Sequence, residues 1–596
     1  MSQDSRIEKD SCGVARLGNA LLTDISGCQN VGTGSDWFPL VFDEGVFVDK
    51  SLLIRDVLQG MQVKLFCRPR RFGKTLAITM LQDFFECAPC GNPVRARERF
   101  EHLSIWEADS AKWRAHQGAY PVVSLSLKEA EASTWDGIRD RLQEVIAREF
   151  SRHNYLLASD ALDSYKRPVF ERIMAKTATD AELQTSLRLL TEALESHHGK
   201  PSIVLIDEYD APILHAYDHG AYEQAAAFMR PLLSAALKTN PHLYRGVLTG
   251  VQRISKESIF SGLNNIEVNT PLSQDADERF GFDANEVKLL ANYLGHENRI
   301  EEVRSWYDGY RFGDVEIYNP WSVLMYFAQG CVAQPYWTNT SGNLSLAHAL
   351  GGEDTVAADE LLLMLEPGAV TEQPIDPNIA YGELGKVPGA AWSVLYMSGY
   401  LTTDDTSFPA DPTRYRPLRV PNYEVRALYR REVVDRARTM AGGPRRLRPL
   451  HEAFVRGDAD AFGKELSAIV SNSASMYDLT AESQCHMLLM GLLFGIPGYG
   501  DPRSNREAGY GRFDLQIAPQ SEELPLITVE VKFMAAADYG RLGEKGPEGL
   551  VALAQEALAQ IDCRHYDAGA ADGSLLRWGI AFGGKHVSAV CETRRG

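Results

Sequence analysis

The chain of 596 residues carries a formal charge of −19 at pH 7 and a pI near 5.3, with 44% hydrophobic and 24% charged residues. That length exceeds what one hydrophobic core supports, so several domains are expected, and the composition is that of a folded globular protein. The acidic balance excludes broad coating of nucleic acid, whose affinity comes from neutralised phosphates, but it leaves room for a local basic groove.

The first ten residues, MSQDSRIEKD, are polar and show no signal peptide, and the longest apolar run, at 487–496, is too short to cross a bilayer. A cytoplasmic (or, in a eukaryote, nuclear) protein without membrane contact is expected. The Gly/Ser/Asn-rich stretch at 18–35 reads as disordered, within a tail spanning 1–35.

From 36 to 270 short apolar runs alternate with helical pattern: MQVKLFC (61–67), YPVVSLSL (120–127), SIVLIDEY (202–209) and RGVLTGV (245–251) read as strands. Such alternation predicts an α/β fold with a parallel sheet covered on both faces. The first strand runs into Arg68-Pro69-Arg70-Arg71-Phe72-Gly73-Lys74-Thr75 and then a helix. Strand, tight loop and helix form the context in which backbone N–H groups cradle the phosphates of a nucleotide. Lys74 would put a cation on the phosphate oxygens, the Thr75 hydroxyl would ligate Mg²⁺, and Gly73 would permit the turn. Arg70 and Arg71 complete the candidate contacts. Arg68 stands where the usual pattern has glycine, and a bare Gly-Lys-Thr also occurs in ordinary surface turns.

Cys87 and Cys90 form a lone CxxC among nine scattered cysteines. With no second pair at ligand spacing, free thiols in a reducing compartment are expected rather than zinc. The strand 203–206 ends in Asp207 and Glu208. At the C-terminal edge of an open sheet, where ligands bind, Asp207 would hold Mg²⁺ and Glu208 would orient or deprotonate water. The same pair could instead cap a helix. After the strand 246–251, Thr249 or Arg253 could sense the γ-phosphate, although Arg253 fits a plain surface arginine equally well.

Residues 271–345 look helical and aromatic-rich (Trp306, Tyr307, Tyr310, Phe312, Tyr318, Trp321, Tyr336, Trp337), which reads as the packing of a lid. Pro/Gly/Asp-rich loops at 366–389 and 403–414 fall in a middle region, 346–449. Arg445, Arg446 and Arg448 read as a solvated helix end. From 450 to 596 helices precede a hairpin. Its first strand contains Asp514, and its second, Leu526-Ile527-Thr528-Val529-Glu530-Val531-Lys532-Phe533, carries Glu530 and Lys532 two apart, hence on one face. Two converging carboxylates bind Mg²⁺ or Mn²⁺, and a neighbouring lysine orients water for phosphodiester attack. Alone, Glu-x-Lys on a strand is an ordinary charge pair. Glu482 could add an acidic group, and Gln555, Gln560 and Tyr566 could flank the site.

Together the blocks FVDKSLLI (47–54), RPRRFGKT (68–75), VLIDEYDAPI (204–213), LTGVQRISKESIFSGLNN (248–265), WYDGYRFG (306–313), YNPWSV (318–323), YWTNTSGN (336–343), SNREAGYGRFDLQI (504–517) and VEVK (529–532) resemble the predicted AAA-ATPase-like proteins that carry a C-terminal PD-(D/E)XK nuclease-superfamily domain. In that family an arginine at the start of the phosphate loop is usual. The resemblance, over about 36–585, implies a P-loop NTPase parallel sheet (36–270) with a helical lid and middle region, then an α/β PD-(D/E)XK-like nuclease domain (450–596). It implies ATP and Mg²⁺ at Lys74, Thr75, Asp207 and Glu208. It also implies a nuclease centre at Asp514, Glu530 and Lys532 that uses Mg²⁺ or Mn²⁺ and acts on nucleic acid, DNA foremost. Two rival expectations are an ATP-driven switch whose nuclease-like domain only grips nucleic acid, and an interaction protein that ATP merely stabilises. An oligomer is compatible with the sequence, but no residue assigns one.

Overall fold

Strands covered on both faces read as near-continuous apolar runs, and four of the runs read from the sequence form strands that are largely buried. Val63–Cys67, Val122–Ser126, Ser202–Asp207 and Leu243–Gly250 form one parallel sheet with a fifth strand, Ile266–Asn269. In the sheet the order is Val122–Ser126, Ser202–Asp207, Leu243–Gly250, Val63–Cys67, Ile266–Asn269. The strand ahead of the phosphate loop is therefore not paired with the strand that ends in Asp207; the one carrying Thr249 lies between them. The fifth strand has no apolar run. It is a half-exposed edge, and its Glu267 pairs with Lys64 at 2.8 Å.

The computed structural model describes residues 8–9, 13–31, 34–253, 265–337, 361, 364, 368–379, 387, 389–405, 413–472, 482–504, 507–508, 511–512, 514–521, 523–564 and 574–595. The chain divides into two units, Met1–Ser345 with Glu372–Val425, and Leu346–Thr371 with Arg426–Gly596. Among the described residues no helix is long and apolar enough to cross a membrane. Parts of the expected loops at 366–389 and 403–414 lie outside the described residues, as do 254–264, 338–343, 505–506, 509–510 and 513 of the resemblance blocks and Tyr566.

The expected disorder at 18–35 is not what forms over residues 18–31. Val14–Leu17 and Ala20–Thr23 pair antiparallel across a two-residue turn at Gly18, whose φ is 61°, and Phe47–Val48 extends the sheet. Glycine and asparagine there are turn chemistry rather than a sign of an unfolded chain. Ala15 and Leu22 are buried against Val287, Leu290 and Ala291 of the helix Ala284–Tyr293. The Asp24 carboxylate then accepts from Ser26 Oγ, the Gly27 and Gln29 N–H groups and Tyr293 Oη, closing the next turn.

Residues 271–337 are helical, but they also contain the hairpin Tyr310–Phe312/Val315–Ile317. Tyr307, Tyr310, Phe312 and Tyr326 are buried.

The second unit holds a mixed five-stranded sheet in the order Arg503–Ser504, Leu515–Ile517, Leu526–Met534, Ser574–Gly583, His586–Arg595. Leu515–Ile517 pairs antiparallel with Leu526–Met534, which pairs in parallel with Ser574–Gly583. A parallel pair needs a crossover, and the helix Gly546–Arg564 supplies it. That helix lies so close to the sheet that a Cβ on Gly579 would stand 2.1 Å from the Ala554 carbonyl oxygen. The core gathers Phe454, Phe462, Leu489, Val529, Val531 and Trp578, with Phe454 stacked on Trp578 at 5.0 Å. Arg445, Arg446 and Arg448 are exposed around the start of the helix Leu447–Arg456, where Arg448 pairs with Glu452.

Gly579→Ala is expected to force helix and sheet apart and to cost about 1–3 kcal/mol of stability. A urea titration of the full chain reads this as a lower midpoint for the second unit; an unchanged midpoint would show that the contact yields freely.

Candidate functional site

The phosphate-loop helix, Lys74–Phe85, begins where Arg71 and Gly73 take left-handed φ angles of 70° and 84°. Glycine adopts this at no cost, whereas arginine does so only where the fold compels it. Arg68 does not obstruct the loop. Its side chain is buried beneath it, donating to the carbonyl oxygens of Cys67 (2.9 Å), Asn269 (3.2 Å) and Ala276 (3.3 Å) and to Asn269 Oδ1, beside the rings of Phe280 and Phe312. The departure from glycine thus has a structural use, tying the loop to the end of the edge strand.

Lys74 is buried, and its Nζ donates to the carbonyl oxygens of Arg68 and Pro69 at 2.9 Å each. Burial pulls its pKa down, against the opposing charges of Glu208, Asp210 and Asp207. Thr75 Oγ1 donates to Asp207 Oδ2 at 2.7 Å, and Thr249 Oγ1 donates to the other oxygen of the same carboxylate. Lys74, Thr75, Asp207 and Thr249 therefore form one group spread over three strand ends. Asp207 lies above the ordinary carboxylate range, chiefly through burial and then through Glu208, with both threonine hydroxyls and Lys74 opposing.

Glu208 takes a φ of 48°, a strained conformation for this residue type that turns the chain out of the sheet edge. It lines a cavity of about 510 Å³ together with Arg70, Arg71, Gly73, Lys74 and Thr75 at one side and Val46, Phe47, Val48, Met80 and Leu324 at another. A cleft of this size, apolar with a few convergent polar groups, suits a nucleotide. Arg70 and Arg71 are exposed, and Arg71 lies 4.2 Å above the Trp321 ring.

The Arg253 guanidinium bonds Asn378 Oδ1. Asp210 is a further residue here, one that the sequence reading did not single out. Its buried carboxylate accepts the Val251 and Gln252 N–H groups at 2.8 and 3.0 Å and so pins the turn that follows the strand. A second acid two residues beyond a strand-end Asp-Glu was the available signal.

Cys87 and Cys90 have partners distant in sequence. Cys87 Sγ is 3.6 Å from His198 Nδ1, and Cys90 Sγ is 3.5 Å from His153 Nδ1. Burial pushes the Cys90 thiol up to about 11 and the His198 imidazole down to about 4, so both stay neutral. Among the described residues no group of three His, Cys, Asp or Glu side chains stands where it could hold one ion.

In the second unit the strand register brings Asp514, one residue ahead of Leu515–Ile517, to Glu530 and Val531. Asp514 Oδ2 accepts the Val531 N–H at 2.7 Å, and the Asp514 N–H in turn donates to Glu530. Burial raises both carboxyls; Asp514 raises Glu530 further, and Lys532 opposes the shift at each. Gln560, on the crossover helix, donates to Glu530 Oε1, whereas Gln555 is exposed. The Glu482 carboxylate accepts the Phe533 N–H and feels both Asp514 and Lys532. Among the described residues Glu530 Oε2 is buried without a hydrogen-bond partner. Two close acids, one with an unsatisfied oxygen, are a donor set that fits a hard divalent cation; Mg²⁺ completes its shell with water and phosphate oxygens.

Residues 33–260 match a family described as predicted AAA-ATPase. This stretch is AAA-ATPase-like, which implies ATP binding and hydrolysis. A curated relative, described as an uncharacterized protein in the vnfD 5′ region of Azotobacter chroococcum mcd 1, is 25% identical over 399 residues, 65% of this chain. The match spans 66% of that relative's length, just under two thirds. No solved structure matches the chain.

A carboxyl whose pKa is raised by folding keeps its proton longer in the folded chain, so stability falls as pH rises from the ordinary range of about 4 through the raised value. For the Asp514–Glu530 pair the thermal midpoint of metal-free protein is expected to decline over that window and to recover with Mg²⁺ or Mn²⁺. The double variant Asp514→Asn, Glu530→Gln should show a shallower decline and no recovery. Equal slopes in both proteins would contradict the geometry.

Proposed function

We propose that the chain binds and hydrolyses ATP in its first unit and, in its second, hydrolyses phosphodiester bonds of nucleic acid, DNA foremost, with a divalent cation. The observation that carries the nuclease half is the Asp514–Glu530 pair beside Lys532, with Glu530 buried and its Oε2 left unsatisfied among the described residues. An unpartnered buried carboxylate oxygen costs free energy that a ligand removes.

In the nucleotide cavity the start of the helix Lys74–Phe85 offers backbone N–H groups to the phosphates. Lys74 exchanges the carbonyls of Arg68 and Pro69 for phosphate oxygens, while Arg70 and Arg71 meet the same charge from the loop's open side. Thr75 and Asp207 are the residues that would hold Mg²⁺. Thr249 fixes the Asp207 carboxylate, and Glu208, on its strained turn, orients or deprotonates the attacking water.

In the second unit Asp514 and Glu530 would hold the cation, which supplies Lewis-acid activation of water and charge neutralisation at the scissile phosphate. Lys532 donates a hydrogen bond that orients the water, and Gln560 keeps Glu530 turned toward Asp514. A second reading is that this unit grips nucleic acid without cutting it.

Incubation of the chain with single- and double-stranded DNA and RNA, with Mg²⁺ or Mn²⁺ and with or without ATP, separates these readings. Cleavage is expected from the wild type and not from Asp514→Ala or Lys532→Ala, both of which should still bind ATP. Fragments from either variant at the wild-type rate would remove the nuclease assignment, and retention of DNA with no fragments under any metal would favour gripping. Lys74→Ala is expected to weaken ATP binding about 100-fold, because it deletes charge-assisted bonds of about 1.5–3 kcal/mol. Glu208→Gln should bind ATP and release no phosphate; wild-type turnover by that variant would refute its role.

A further inference from the structure

Three consecutive carbonyls of the phosphate loop are held by side chains. Lys74 takes those of Arg68 and Pro69, and Trp337 Nε1 donates to that of Arg70 at 3.1 Å. The backbone N–H of Trp337 donates to Glu424 Oε1 at 2.7 Å. Glu424 is fully buried and also receives the Ser322 hydroxyl at 2.9 Å on each oxygen and a backbone bond from Tyr336. These donors are all neutral, and burial pushes the carboxyl up to about 7. The Glu424 carboxylate thus depends on the position of Trp337 and Ser322, with no cation among its donors in the described residues.

Glu424 is the second residue of the helix Tyr423–Met440, and it lies in the first unit, which ends at Val425; Arg426 onward belongs to the second. Asn422 caps this helix, accepting the Val425 N–H at 3.1 Å while its Nδ2 donates to the Asp308 carbonyl at 2.7 Å. The loop side is equally close-packed. Phe72 meets Tyr310 edge-on at 4.9 Å, and a Cβ on Gly399 would stand 2.8 Å from Pro69. A loop gripped this way passes a change of position on to its neighbours rather than absorbing it.

We infer that Trp337 and Glu424 relay the occupancy of the nucleotide cavity to the helix that carries the chain into the second unit. Arrival of phosphate draws Lys74 from the carbonyls of Arg68 and Pro69 and fixes the loop backbone on the ligand. The Arg70 carbonyl becomes a firmer acceptor for Trp337, Trp337 a firmer donor to Glu424, and the first turns of Tyr423–Met440 open less often. Trp337 and Glu424 are positioning residues in this relay; neither touches the reacting atoms. The inference rests on the nucleotide reading of the cavity and deepens it by naming a helix whose opening that site regulates.

Hydrogen–deuterium exchange of the full chain, with and without ATPγS and Mg²⁺, tests the relay, with nucleotide affinity measured separately by calorimetry. In the wild type ATPγS is expected to slow exchange across 423–440. Trp337→Phe, which deletes the indole N–H, should bind ATPγS within about tenfold of the wild type, one neutral hydrogen bond being worth about 1 kcal/mol. It should nonetheless lose the exchange difference in that helix. Glu424→Ala should lose it too, and Glu424→Gln, which keeps an acceptor for the Trp337 N–H, should regain it. That rescue separates the relay from mere loss of packing, and it decides the matter should Trp337→Phe fail to fold. The relay is overturned if the wild type binds ATPγS with no change at 423–440, or if Glu424→Ala keeps the full difference. Failure of the wild type to bind ATPγS at all would remove the nucleotide reading and this inference together, whereas binding without a response in the helix removes this inference alone.

Discussion

A loop that offers its backbone N–H groups to an anion cannot spend them on its own chain, so it must be held from behind by side chains. This constraint organises the first unit. Arg68 spans beneath the loop to Asn269 and Ala276, Phe72 sits between Tyr310 and Phe312, and Trp337 takes the Arg70 carbonyl. Each tie reaches a segment far along the chain, which is why residues 266–337 pack around a loop at 68–75. The aromatic residues of those segments are the loop's mounting as well as their own core.

The same logic explains where the strained residues fall. Arg71 and Glu208 take left-handed backbone angles that the surrounding packing imposes, and both border the cavity. Strain of this kind persists only where the neighbouring structure over-determines it, and it collects where a side chain must leave the direction its strand dictates. In the second unit the cost takes another form. Two carboxyls share a partly buried place with Lys532, and one of their oxygens has no donor among the described residues. Gly579 lets the crossover helix approach closely enough for Gln560 to reach Glu530.

Much of this was legible from residue order. Lys74, Thr75, Asp207 and Glu208 were readable because strand–loop–helix and strand-end acids are local patterns. Glu530 and Lys532 share a face because strand side chains alternate. Other features were not readable for equally physical reasons. The edge strand Ile266–Asn269 lacks an apolar run because one side of it faces solvent. The stretch from 18, which holds the turn and second strand of a hairpin, reads as disordered because glycine and asparagine serve turns as readily as flexible chain. Asp210 sets the turn that leads to Arg253, a contact between two strand ends that are distant in sequence.

What the order of residues determined by itself was the chemistry available at each strand end, since periodicity and turn residues act over a few positions. Which of those ends stand together was decided only in three dimensions. Thr249 reaches Asp207 because its strand lies between two others, and Asp514 meets Glu530 because of one particular antiparallel register. His153 and His198 reach Cys90 and Cys87 from about 60 and 110 residues away. Such meetings depend on sheet order and packing, which are properties of the whole chain and leave no trace in any short stretch of it.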